Sequence, residues 1–155
     1  MTEVGFYHLQ RSPLDRALPK LLERVVERGL RALVLTGSKE RAEYLNGLLW
    51  TYDPGSFLPH GVAIDGEAAE QPVFLSEHEQ NPNGAKVLVV VDGANIEFMS
   101  GFDRCLDMFD GNDAEAVTSA RQRWKDCVTA GFAVTYWQQN ERGGWEKTAE
   151  AGGKA

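Results

Sequence analysis

Residues 86–93 read KVLVVVDG, an unbroken apolar run held between a lysine and an Asp-Gly pair. A strand with one wet face would alternate apolar and polar side chains. An unbroken run of Val and Leu fits a strand covered on both faces, as inside a parallel sheet. RALVLTG (31–37) repeats the pattern, and VGFYHL (4–9), PVFLS (72–76) and the stretch 132–138 read as further strands. Between strands the apolar spacing changes to three and four. Leu14, Leu18, Leu21, Leu22, Val25 and Val26 make such a stripe, predicting a helix from Pro13 to Arg28. Ser12 is its expected N-cap and Gly29 its stop, while Pro19 is expected to kink it or shift its start. Ser38 is the expected cap of a helix at 39–52, and further helices are expected at 97–109 and 113–129. NPNG (81–84) is turn chemistry.

Strands alternating with helices predict an α/β fold, with a mostly parallel sheet flanked by helices on both faces. One domain is expected over residues 1–140, and ERGGWEKTAEAGGKA (141–155), rich in Gly, Ala and charge, is expected to form a mobile tail.

The 155 residues carry a formal net charge of −7, which argues against nucleic-acid binding over a wide surface. No apolar run is long enough to span a membrane, and MTEVGFYHLQRSP lacks the basic and apolar regions of a secretory signal, so a cytoplasmic protein is expected. Cys105 and Cys127, both on expected helices and without CxxC spacing, read as buried thiols.

The sequence offers little for catalysis. The turn TGSKE after the second strand matches neither GxGxxG nor GxxxxGK[ST], so nucleotide binding is not expected. His8, His60 and His78 lack metal-ligand spacing, and no cofactor is expected. VVVDGAN resembles the opening of PIN/NYN-type nucleases, in which an aspartate holds a metal. Asp92 is therefore the residue on which an alternative reading, a metal-dependent nuclease, would rest; a solvated turn aspartate is the plainer account.

Two surfaces look suited to partners. On a wheel of about 100° per residue with Val117 at zero, Trp124 falls near −20°, Val128 near 20°, Arg121 near 40° and Lys125 near 80°. Ala116, Ala120 and Cys127 gather near −60° to −100°, on the core side. The wheel predicts an apolar notch around Trp124 with two cations on one rim, fit for an acidic peptide that ends in an aromatic. On the helix at 39–52, Trp50 points away from the stripe of Ala42, Leu45, Leu48 and Leu49, and Phe57 follows in a Pro/Gly loop.

GLLWTYDPGSFLPHG and ARQRWKDCVTAGF resemble the two strongest motifs of the chi subunit of bacterial DNA polymerase III. The first is a helix-ending Leu-Trp, a spacer and Phe-x-Pro-His; the second is Ala-Arg-x-Arg-aromatic-Lys followed by Ala-Gly-Phe. FYHL fits the family's opening strand, and the likeness spans residues 4–138. The resemblance implies a Rossmann-like fold with neither nucleotide binding nor catalysis. It implies a subunit, monomeric within a hetero-complex, that bridges the clamp loader to single-stranded DNA-binding protein (SSB) and meets DNA only indirectly. It puts the acidic SSB tail at Arg121, Trp124, Lys125 and Val128, with Gly131 and Phe132 closing the notch. It puts a psi subunit or a helicase-type partner at Trp50 and Phe57. Trp124 stands where the family commonly has tyrosine, and Val128 where a basic residue can occur.

Overall fold

The structure, a computed structural model, describes residues 2–10, 14–51, 60–62, 72–140, 142 and 144–152. Its elements in chain order are β1 (Glu3–Leu9), α1 (Leu14–Glu27), β2 (Ala32–Leu35), α2 (Lys39–Thr51), β3 (His60–Val62) and β4 (Val73–Ser76). They continue with β5 (Val87–Val90), α3 (Ile96–Met99), β6 (Arg104–Asp110), α4 (Ala114–Thr129), β7 (Ala133–Gln139) and β8 (Trp145–Ala151). Among the described residues the strands form one eight-stranded sheet in the order β3-β4-β2-β5-β6-β1-β7-β8. Every pairing is parallel except the last, where β8 runs antiparallel to β7.

The apolar runs occupy the middle of this sheet. β2, β4 and β5 are buried at every position. Each buried Val or Leu contributes roughly 1.5–3 kcal/mol, so these short strands anchor the fold despite their length. Alternate residues go to two separate apolar clusters. Ala32 and Val34 join Val87 and Val89 in a cluster with Leu18, Leu22 and Leu45 of α1 and α2. Leu33 and Leu35 join Leu88 and Val90 in a second, with Met99 of α3 and Ala120 and Cys127 of α4.

Local chemistry ends the helices where the sequence says it should. Ser38 caps α2, its Oγ accepting from the Arg41 N–H at 3.1 Å. At the end of α1, Gly29 adopts φ 74, its N–H donates to Val26 (2.9 Å), and the Leu30 N–H donates to Val25 (3.1 Å). That pair of bonds is a Schellman motif, which needs a left-handed residue at Gly29. Pro19 lies inside α1, removing one helical donor, and the helix still runs to Glu27. The expected cap at Ser12 and Pro13 lies outside the described residues. In NPNG, the Asn81 side chain accepts from the Ala85 N–H at 2.8 Å and donates to the Ala85 carbonyl at 2.9 Å.

Three expectations are corrected. The helix expected over 97–109 is only α3, and the rest is the central strand β6 between β5 and β1. Phe98, Met99, Phe102, Cys105, Leu106 and Phe109 recur at spacings of one, three and four, which imitates a helix. The same spacing arises because β6 is buried on both faces. Cys105 therefore lies on a strand, not a helix; it and Cys127 are free buried thiols. Residues 145–151, expected in a mobile tail, form β8 instead, and Trp145 packs edge-on against Tyr7 at 5.1 Å. Finally, the Pro/Gly stretch after the helix at 39–52, expected to be loop through the residues that follow Phe57, includes the edge strand β3 at His60–Val62.

Candidate functional site

Helix α4 carries the site. Asp113 opens it, its carboxylate accepting from the Glu115 N–H at 3.0 Å. Gly131 closes it with φ 87: its N–H donates to Val128 at 3.1 Å and the Phe132 N–H donates to Cys127 at 3.0 Å. This second Schellman motif turns the chain back so that Phe132 is buried against the underside of α4. Gly131 and Phe132 thus fix where α4 ends and β7 begins.

Ala120 and Cys127 are buried, and Val117, Trp124 and Val128 lie partly buried along the edge of the second cluster. The Trp124 ring rests on Phe6 (centroids 5.8 Å) and meets Tyr136 edge to face (5.9 Å). Arg121 and Lys125 are exposed one turn apart. Arg121, Trp124, Lys125 and Val128 therefore sit together as an open apolar edge with cations beside it. Arg123, which shares the same basic stretch, does not join them. Its guanidinium turns inward and takes the carboxylate of Asp107 on β6 through bonds of 2.6 and 3.0 Å. Burial pushes the Asp107 carboxyl up, and the two hydrogen bonds and the charge of Arg123 oppose that. The bidentate pair pins α4 to the middle of the sheet.

The aromatic cluster next to this edge was not foreseen from the sequence. His8 Nδ1 lies 2.6 Å from the Tyr136 hydroxyl, and its ring meets Phe109 at 5.2 Å. Phe109 and Tyr136 are 6.0 Å apart, so His8, Phe109 and Tyr136, from β1, β6 and β7, form a ring cluster that meets Trp124 through Tyr136. Burial holds the His8 imidazole below its ordinary value, helped by the nearby Arg121 charge and opposed by a backbone bond at Gly111 and by Asp110. Position 111 has to be glycine, because the His8 ring occupies the space a Cβ there would need. The period-two pattern of VGFYHL already puts His8 on the face of Phe6. Phe109 was hidden by the helical reading of its strand.

Elsewhere, Asp92 accepts from the Gly37 N–H at 2.7 Å and from Arg41 Nε at 3.3 Å. It lines a cavity of about 840 Å³ at the C-terminal ends of β1, β5 and β6, together with Gln10, Asp110, Asn112 and Arg123. Among the described residues no group of three or more His, Cys, Asp and Glu could hold a metal ion. Burial pushes the Cys127 thiol up to about 12, and the Cys105 thiol is raised as well, so neither is a nucleophile near neutral pH. Trp50 lies in α2 with its side chain outside the described residues, and Phe57 is outside them entirely. No helix among the described residues is long and apolar enough to cross a membrane.

Comparison with known proteins places this architecture. A probable DNA polymerase III subunit chi from Rickettsia prowazekii (strain Madrid E) is 29% identical over 163 residues, covering 96% of this chain and 93% of the relative. A DNA polymerase III subunit chi from Escherichia coli (strain K12) is 26% identical over 105 residues, covering 67% of this chain and 71% of the relative. The family model described as DNA polymerase III chi subunit, HolC, matches residues 1–135, which takes in β1 through the start of β7, and the chain belongs to that family.

Proposed function

We propose that this chain is a non-catalytic accessory subunit of DNA polymerase III that bridges the clamp loader to SSB by holding the acidic C-terminal tail of SSB in the α4 notch. The observation that carries this reading is the partly exposed Trp124 ring, propped on Phe6 and Tyr136, with Arg121 and Lys125 exposed beside it. The aromatic edge accepts a terminal ring, and the two cations accept carboxylates through charge-assisted hydrogen bonds. Trp50 and Phe57 form a second contact in this proposal, for a psi subunit or a helicase-type partner. The division of core side chains between α1/α2 and α3/α4 supports a Rossmann-like arrangement with helices on both faces. A cytoplasmic protein, monomeric within its hetero-complex, completes the reading.

The test is an anisotropy titration with a labelled peptide of the last ten or so residues of the host's SSB. Arg121→Ala and Lys125→Ala are each expected to weaken binding about tenfold, the loss of one charge-assisted hydrogen bond. Curves that overlay the unmodified protein's would overturn the assignment. The nuclease reading of Asp92 has less to support it, since that carboxylate is engaged by Gly37 and Arg41. A divalent-metal cleavage assay on single-stranded DNA or RNA, with Asp92→Ala as control, separates the two.

A further inference from the structure

We propose that the sheet surface carrying Tyr7, Trp137 and Trp145 is a stacking platform for single-stranded nucleic acid. The Tyr7 ring is folded back along β1 over Gly5: a Cβ at position 5 would stand 2.9 Å from Tyr7 Cε1. The Trp137 indole is folded back along β7 in the same way, its Nε1 donating to Thr135 Oγ1 at 2.9 Å. Gly5 and Thr135 are register partners, as are Tyr7 and Trp137. The two ring planes differ by 5°, with centroids 6.1 Å apart. Two parallel rings thus neighbour each other across adjacent strands, and Tyr7 also packs against the first cluster. Trp145 of β8 stands at 89° to Tyr7, with centroids 5.1 Å apart. All three aromatics are only partly buried.

Cations surround this surface. Arg24 in the last turn of α1, Arg28 just past its end, and Arg104 at the start of β6 are exposed. The charges of all three reach the Tyr7 hydroxyl. Lys147 is the register partner of Trp137 across β8. Acids share the rim: Glu3 lies 4.0 Å from Arg104, Glu150 lies 3.1 Å from Lys147, and Glu27 is exposed between Arg24 and Arg28 in sequence. Flat ring faces with a rim of guanidinium groups suit bases that stack while their phosphates meet the cations. An acidic peptide would engage the rim and leave the ring faces unused. The net charge of −7 confines the contact to this patch and makes it sensitive to salt.

The platform is separate from the α4 notch, because Tyr136 packs with the second cluster while its neighbour Trp137 alternates to the opposite face. It would add a direct contact with nucleic acid to the indirect one through SSB. The experiment is an anisotropy titration of the full chain against labelled oligo(dT) of about 15 nucleotides at low salt, a length within the range of single-strand sites. Binding is expected to weaken roughly fivefold or more in Trp137→Ala, the lower end for one lost base stack. A similar loss is expected in the double variant Arg24→Glu/Arg28→Glu, whose residues are exposed and leave the core intact. Arg121→Ala should titrate like the unmodified protein. No anisotropy change at low salt, or equal binding by the Arg24/Arg28 variant, overturns the proposal. So does displacement of the oligonucleotide by an acidic peptide that binds Arg121→Ala/Lys125→Ala unimpaired, which would make the platform a peptide site.

Discussion

Arg121 and Arg123 stand two positions apart and do unrelated work. Arg121 is exposed beside Trp124, whereas the Arg123 side chain is 18% exposed and bound to an Asp107 side chain that is 0% exposed. Removing one partner of a buried pair strands the other charge, so Arg123→Ala should lower stability by about 3–5 kcal/mol. Arg121→Ala should stay within about 0.5 kcal/mol. Urea unfolding of both variants checks this. The Arg123→Ala deficit should also shrink on acidification. Asp107 already titrates above its ordinary 3.8, and without Arg123 it rises further, so the folded variant keeps a proton that the unfolded chain sheds as pH climbs. His8 has the opposite sign. Its folded value lies below 6.5, so the unfolded chain takes up the proton first and stability is lost as pH falls through that value. Between pH 7.5 and 5.5, His8→Gln should lose less unfolding free energy than the unmodified protein does. The helical wheel that turned Arg121 toward water also puts Arg123 near −120°, beside Ala116, so its inward path was legible. Its partner was not, because Asp107 had been assigned to a helix.

Helix α4 and strand β6 differ in how well sequence foretold them. The period of α4 is amphipathic, its cap is an aspartate and its stop is a glycine, each a local signal. Gly131→Ala forces a Cβ into φ 87 and should cost about 1–2 kcal/mol, read as a lower urea midpoint with unchanged m-value. Loss of the turn would also loosen Phe132 and with it the edge of the notch. β6 gave no comparable signal. Central burial makes every buried position apolar except Asp107, and that single buried charge, neutralised by Arg123 from another element, broke the run that marks β2 and β5. β8 was hidden differently: WEKTAEA is mostly exposed and charged, as suits an edge strand, and resembles a solvated tail until Trp145 meets Tyr7.

Taken whole, an acidic protein with a net charge of −7 presents a small cationic rim to its proposed acidic ligand. Attraction across such a contact is local and screened within about 8 Å at physiological ionic strength. Tail-peptide affinity should therefore fall steadily with added salt, and that fall should flatten in Arg121→Ala/Lys125→Ala, measured by titrations from low to high salt. The fold makes this rim possible by seating α4 over the aromatic ends of β1, β6 and β7, three segments distant in sequence.

Sequence alone determined the α/β class, the buried parallel strands, the helix stops and the gathering of Arg121, Trp124, Lys125 and Val128, because each follows from periodicity or capping within a dozen residues. Only the tertiary structure decided that β6 is a central strand, that Arg123 finds Asp107 on it, and that His8, Phe109 and Tyr136 cluster next to Trp124. Those outcomes depend on which side chains meet across strands, and strand pairing over long separations leaves no local trace in the chain.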